Sequence, residues 1–320
     1  MSNALETAQL GRRYGRVWAL QDCTLALPAG RIVALVGPNG AGKTTFLHLA
    51  VGLLRPTAGS VSVFGHSPQR EPLTVLPRVG FVAQDHPLYK EFTVNDHLTL
   101  GRKLNRRWDE AYAVSRLNQF GIPLTRAAGK LSGGQQAQVA LALGMAKRPE
   151  LALLDEPLAS LDPLARRDFL RALMDVAVAD GLTVVLSSHL ITDLERVCDY
   201  LVVLSHSRVA LIGDIEEIVR THKRLVGPRT DHTAVAAVHN VIEESHTARQ
   251  TTLLVRVNGH IFDPAWEIAD VTLEDIVLAY MGQARASVSE ASGGGMGGPW
   301  RSPLDDEKHD EERDESEVTR

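Results

Sequence analysis

Residues Gly37-Pro38-Asn39-Gly40-Ala41-Gly42-Lys43-Thr44 match the pattern G-x-x-x-x-G-K-[ST]. Glycines at this spacing let backbone N–H groups approach phosphate oxygens without side-chain clash, and the start of a following helix adds partial positive charge. Lys43 has the reach to meet β- and γ-phosphates, and the Thr44 hydroxyl can ligate Mg²⁺. A second element, LALLDE at 151–156, is an apolar run that ends in two carboxylates. At the C-terminal edge of a sheet, Asp155 is placed to hold a metal shell and Glu156 to polarise a water. Taken alone, the pair reads equally well as a cap for the next turn. A third element, Leu131-Ser132-Gly133-Gly134-Gln135, puts serine and two glycines at a helix start, which makes another phosphate-sized anion site. One chain with one Gly-Lys-Thr loop needs no second cradle for the same phosphates. Two copies facing head to tail use both, each phosphate chain lying between the loop of one and the Ser-Gly-Gly of the other.

These residues need elements to hold them. RIVALV at 31–36 reads as a buried strand leading into the glycine loop, and an apolar helix is expected from Thr44 to about Leu54. Residues 16–36 read as strand-rich, followed by short strands at VSVFG and RVGFVAQ. From about Asp85 to Lys147 the pattern turns helical, with helices near Val94–Leu104 and Asp109–Phe120 and a third capped by Ser132. Apolar strands at 151–155, 183–188 and 200–205 alternate with helical stretches, the mark of a parallel α/β sheet. Beyond about Thr221 the pattern weakens, with one strand expected at Thr252–Val257. A last helix begins near Thr272, where Thr272 and Asp275 form a capping pair. Its stripe of Leu273, Ile276, Val277 and Tyr280 is expected to dock on its own domain, a subunit contact being the alternative. The chain therefore divides into 1–220, 221–284 and a tail, 285–320, with a helical subdomain at about 86–147. Glycine, charge and low hydrophobicity make the tail read as disordered, with regulatory docking as the alternative.

The 320 residues are 44% hydrophobic and 23% charged, an ordinary globular composition. Arg301–Arg320 holds nine acids and four bases, so the net charge of −5 lies there and the first 300 residues are balanced. That argues against a basic body binding nucleic acid by charge alone, though not against a local patch. Two cysteines, Cys23 and Cys198, exclude a disulfide framework and suit a reducing compartment, and Cys198 reads as a buried thiol rather than a nucleophile. No apolar run approaches the ~20 residues of a spanning helix, and no secretory leader is evident. The chain is expected in the cytosol, reaching a membrane through a partner.

In their order along the chain, these motifs resemble the ATP-binding subunit of ATP-binding-cassette (ABC) transporters, over about Leu5 to Gly213. The resemblance implies an α/β fold: a P-loop NTPase core of ABC ATPase type, a helical signature subdomain and a small C-terminal α/β extension. It implies ATP and Mg²⁺ as ligands, with Gly37 to Thr45 around the phosphates, Thr44, Gln84 and Asp155 around the metal, and Tyr14 stacked on adenine. Ser132, Gly133, Gly134 and Gln135 would contact the partner copy's γ-phosphate, and the Ser160-Leu161-Asp162 loop would cross the dimer seam. Glu156 would be the catalytic base, His189 would hold the γ-phosphate and position the water, and Lys43 and Gln84 would complete the catalytic set. One departure is visible: where many relatives read Q-Q-R-V, this chain has Gln138 in place of the arginine, which bears on helix packing or subunit communication. The remaining histidines show no metal spacing; His232, His239 and His246 recur every seven residues in an irregular region and read as coincidence.

The resemblance also implies partners: a homodimer or heterodimer of such subunits, and an integral membrane permease whose coupling helix would enter a groove at His86–Leu98. Localisation would be the cytoplasmic side of the membrane, and no nucleic acid is expected. The extension ending in TLEDIVLAYMG, and the stretch WDEAYAVSRLNQFGIP, look like cassettes paired with bacterial export-type (ABC-2) permeases. An import-type cassette, or a soluble one acting on ribosomes or DNA, is the alternative.

Overall fold

The computed structural model describes residues 2–159, 161–189, 191–229, 233–259 and 265–291. The elements begin with β1 (Asn3–Tyr14), β2 (Val17–Pro28), β3 (Ile32–Val36), α1 (Lys43–Val51), β4 (Ala58–Val63), α2 (Pro72–Val75) and β5 (Val79–Val82). Then follow α3 (Val94–Leu104), α4 (Glu110–Gln119), α5 (Gly133–Met145), β6 (Leu151–Leu154), α6 (Pro163–Asp180), β7 (Thr183–Ser188) and α7 (Ile191–Leu194). The last group is β8 (Tyr200–Ser205), β9 (Arg208–Asp214), α8 (Ile215–Thr221), β10 (His222–Pro228), α9 (Thr233–Val238), β11 (Asn240–His246), β12 (Gln250–Arg256), β13 (Glu267–Ala269) and α10 (Leu273–Ala291).

The central sheet has six strands in the order β5-β6-β7-β3-β8-β9. The first five run parallel and β9 returns antiparallel along β8, an edge that the sequence pattern did not announce. Alternate residues of each central strand enter opposite cores, as a two-per-turn pleat requires. Ile32, Ala34 and Val36 join a cluster with Leu154, Phe169 and Leu186. Val33 and Leu35 join the other, with Phe46, Leu47, Leu153 and the sheet β2-β1-β4. Burying a Phe or Leu is worth about 1.5–3 kcal/mol, so these two layers carry most of the favourable term. A smaller cluster of Val94, Leu98, Leu117, Leu131 and Val139 holds α3, α4 and α5 together.

Two expected elements shift, and one appears that was not expected. The first helix stops at Val51 rather than Leu54, because Gly52 closes it with an N–H bond to the Leu49 carbonyl. The acidic strand ends at Leu154, so both carboxylates lie beyond it. β1, twelve residues long, was not expected at all. Gln9 sits at φ 48 and its pairing with β2 shifts register between Thr7 and Leu10, which breaks the alternation a strand is read by.

After β9 the chain builds a four-stranded antiparallel sheet, β11-β12-β10-β13, where one strand was expected. One face packs Leu225, Leu253, Val255 and Trp266 under Val235 of α9. From the other, Ile242 and Leu254 join the larger core cluster together with α10. The Thr272–Asp275 cap forms in both directions, and Leu273, Ile276, Val277 and Tyr280 are buried in that cluster. Buried His222 ties the helix down further: its Nδ1–H donates to the Ile218 carbonyl at 2.7 Å and its Nε2 pairs with the Tyr280 hydroxyl at 3.1 Å. The chain falls into two compact units, 1–285 and 286–320, and of the second only the helical residues 286–291 are described. The acidic tail beyond 291 and His232 lie outside the described residues.

Candidate functional site

The site grows from the C-terminal edge of the parallel strands. β3 delivers Gly37 beside the end of β8, where a Cβ would lie 2.4 Å from the Leu204 carbonyl oxygen, so no larger residue fits. The loop then turns into α1 through Gly42 at φ 103, a left-handed conformation suited to glycine. No side chain caps this helix start. Its first-turn N–H groups are therefore available to an anion.

Lys43 opens the helix and is buried. Its Nζ donates to the Gly37 carbonyl at 2.8 Å and the Pro38 carbonyl at 3.4 Å, and lies 3.0 Å from Oε1 of Glu156. Glu156 follows β6 with φ 43, a costly backbone conformation for a side-chain-bearing residue. Ser187 on β7 holds it there: the Glu156 N–H donates to the Ser187 Oγ at 2.7 Å, and the Ser187 hydroxyl donates to Asp155 Oδ1 at 2.8 Å. Asp155 is buried, 1% exposed. From the end of β7, His189 Nδ1 reaches Glu156 Oε2 at 2.6 Å. The Glu156 carboxylate thus bridges Lys43 and His189. Burial alone would raise this carboxyl, but the hydrogen bonds from His189 and Lys43 outweigh it and hold the group below the ordinary carboxylate value.

Lys43, Asp155, Glu156 and His189 are therefore brought together, with Thr44 exposed at the same helix start. Gln84 stands exposed two residues beyond β5. Ser132 caps α5 within its own turn: its Oγ accepts the Gln135 N–H, and Gln135 Oε1 accepts the Ser132 N–H. Tyr14 ends β1, half-buried, with the Arg12 guanidinium 4.7 Å over its ring. Asp162 caps α6 by accepting from the Leu164 and Ala165 N–H groups. Ser160 lies outside the described residues. Ser187 is the member that sequence reasoning missed; the serines just before His189 are the signal that could have found it.

The remaining candidates sort on chemistry. Both thiols are buried and their pKa values pushed up, Cys23 to about 11, so neither is a ready nucleophile. No cluster of three metal-ligating side chains occurs among the described residues. Gln138 is buried and lines a small cavity with Tyr112, Arg116 and Phe120 on the inner face of α4. At 86–98 an aromatic patch forms: the Tyr89 and Phe92 rings lie 5.1 Å apart and each packs on His97, while Tyr89 is 62% and Phe92 40% exposed. None of the helices searched among the described residues is long and apolar enough to cross a membrane.

The chain has relatives among known proteins. A family model described as ABC transporter matches residues 20–159. The chain is 33% identical over 263 residues to a sulfate/thiosulfate import ATP-binding protein of Rhizobium meliloti strain 1021, covering 79% of this chain and 71% of that one. It is 26% identical over 290 residues to the ABC transporter ATP-binding protein YtrB of Bacillus subtilis strain 168, covering 88% and 99%. Other sulfate/thiosulfate import relatives are longer than the shared stretch: it spans 65% of the Mesorhizobium japonicum protein and 63% of the Synechococcus elongatus one. Among solved structures, an ATP-binding subunit of an ABC transporter superposes with a TM-score of 0.62 at 31% identity, over 68% of this chain and 92% of that one. A bacterial ABC transporter cassette solved as a dimer gives a TM-score of 0.60 at 25% identity, over 66% and 98%.

Proposed function

This chain belongs to the family of ABC transporter ATP-binding proteins, and from that premise we propose that it binds and hydrolyses ATP as one of two paired subunits that drive a separate membrane permease. The observation that carries the reading is the buried Glu156 carboxylate, held between Lys43 and His189 at the strand ends beside an uncapped helix start. Mg²⁺ suits the oxygen donors offered here, the buried Asp155 carboxylate with the exposed Thr44 hydroxyl and Gln84 amide, and when bound it neutralises phosphate charge.

Lys43 and the α1 N–H groups bind the β- and γ-phosphates. As Lys43 turns to the phosphates it leaves Glu156, whose carboxylate is then free to accept a proton. Water attacks the γ-phosphorus, the bond from that phosphorus to the β–γ bridging oxygen breaks, and Glu156 takes the water's proton while His189 fixes its direction. ADP and phosphate leave. The α5 start of the second copy supplies N–H groups to the γ-phosphate from the opposite side, as a helix N-terminus does for an anion. Adding Mg-ATP to the Glu156→Gln chain should convert it to a stable dimer by size-exclusion chromatography; a chain that stays monomeric at saturating nucleotide, with or without its permease, overturns the reading.

The permease would dock on the aromatic patch at Tyr89 and Phe92, which would hold the chain on the cytoplasmic face of the membrane. Export is the reading drawn from the extension's likeness to cassettes paired with export-type permeases; YtrB, which matches 88% of this chain, carries no direction in its name. Import is the second reading, favoured by the names of the relatives at 32–34% identity. Vesicles carrying the chain and its permease decide between them: export empties cargo from the ATP side, and import delivers cargo to it.

A further inference from the structure

The hairpin that carries Tyr14 is braced from behind. Tyr14 pairs with Val17 across the turn at Gly15-Arg16, at the free tip of β1 and β2. Arg12, two residues earlier and so on the same side of the strand, lays its guanidinium 4.7 Å from the Tyr14 ring centroid. Arg13 faces away and stacks over Trp18 at 5.5 Å. Arg12 Nη1 donates to the Arg55 carbonyl at 3.1 Å, in the segment that leaves α1. That segment is stitched to the hairpin twice more: the Thr57 N–H donates to the Gly11 carbonyl at 2.8 Å, and the Arg13 N–H donates to Thr57 Oγ1 at 3.1 Å. The Arg12 Nε is buried with no hydrogen-bond partner. A guanidinium that gives up part of its hydration in this way is held by what it stacks on, which here is the ring.

We propose that Arg12 is a positioning residue for nucleotide recognition: it covers one face of Tyr14 and ties that ring to the helix that carries Lys43, so that the opposite face is presented to a purine base at a fixed distance from the phosphate loop. A cation over one face also draws electron density from the ring and strengthens stacking of an electron-rich base on the other. A planar guanidinium serves both purposes, while a lysine ammonium in its place keeps the charge and loses the stack. The inference rests on the reading of Tyr14 as the base platform.

The test uses the full chain with Arg12→Ala, Arg12→Lys, Tyr14→Ala and the double variant Arg12→Ala/Tyr14→Ala. Each is titrated calorimetrically with Mg-ATP and with Mg-tripolyphosphate, and its steady-state KM and kcat are measured. Arg12→Ala should weaken ATP binding and raise KM by about threefold to tenfold while kcat holds. Tripolyphosphate, which has no base, should bind as it does to the parent chain, and Arg12→Lys should recover part of the loss. The double variant should bind ATP no more weakly than Tyr14→Ala alone. An equal loss on ATP and tripolyphosphate would reduce Arg12 to a structural residue, and additive losses in the double variant would overturn its action through Tyr14. If Tyr14→Ala leaves ATP affinity unchanged, the base-platform reading falls first and takes this inference with it; if Tyr14→Ala weakens binding and Arg12→Ala does not, only the inference falls.

Discussion

Two helices of this chain start at glycine-bearing turns, and their starts are built in opposite ways. α1 begins at Gly42 with no capping side chain, beside a buried lysine already engaged with a buried carboxylate. α5 begins at Ser132 with a reciprocal cap to Gln135, exposed and with no charged group in its first turn. A bare helix start leaves N–H groups unsatisfied, and an anion completes it. A capped start is stable by itself and has only its remaining N–H groups and its dipole to offer. On the function proposed above, the contrast divides the work: the first start would capture nucleotide in a single copy, and the second would act only when another copy brings a phosphate to it.

The sharpest way to break that division is Glu156→Gln. Removing the base should lower phosphate release by about 10²–10³-fold or more while ATP stays bound, and near-normal turnover would detach the α1 pole from the chemistry. Next is Lys43→Ala, which deletes one or two charge-assisted contacts. Nucleotide affinity measured by calorimetry should fall by about tenfold to a hundredfold.

The third variant, Gly42→Ala, tests the architecture instead of the charge. With φ at 103 and a Cβ placed 2.4 Å from the Ala19 carbonyl oxygen, it should cost about 2 kcal/mol or more in a denaturant titration and weaken nucleotide binding by the isolated copy. Ser132→Ala should cost only about 1 kcal/mol and leave binding to a single copy unchanged, while turnover of the paired form drops. Equal damage to single-copy binding from both helix starts would erase the comparison.

The smallest effect is on pH. The folded carboxyl of Glu156 lies below its ordinary value of 4.5, so the stability it contributes is complete above about that pH and is lost as pH falls through the lower folded value. α5 has no acidic residue in its first turn. Amide exchange followed down the acid limb should therefore open α1 before α5.

Much of this was readable in the residues, for reasons tied to chemistry. The loop at Gly37–Thr44 has to sit between a buried strand and a helix, so its pattern announced both, and Ser132 and Thr272 announced their helices because caps are local. The closeness of Lys43, Glu156 and His189 is a matter of parallel register: β3, β6 and β7 bring separated residues to one edge, and spacing along the chain cannot show that they touch. Ser187 stayed hidden because its role is a hydrogen bond to the neighbouring strand's end. β1 was lost to a bulge at Gln9. β10, β11 and β13 were lost because their short, half-polar stretches are strands only through the partners beside them.

The way α10 is seated has a practical consequence. Leu273, Ile276, Val277 and Tyr280 share one apolar cluster with Phe169 and Leu186, and His222 fastens Tyr280 from below. A chain stopped near residue 220 would leave a greasy scar along the sheet and a product prone to clump. Any shortened or fused form of this chain has to carry α10 along, because that helix closes a cluster the sheet by itself leaves open.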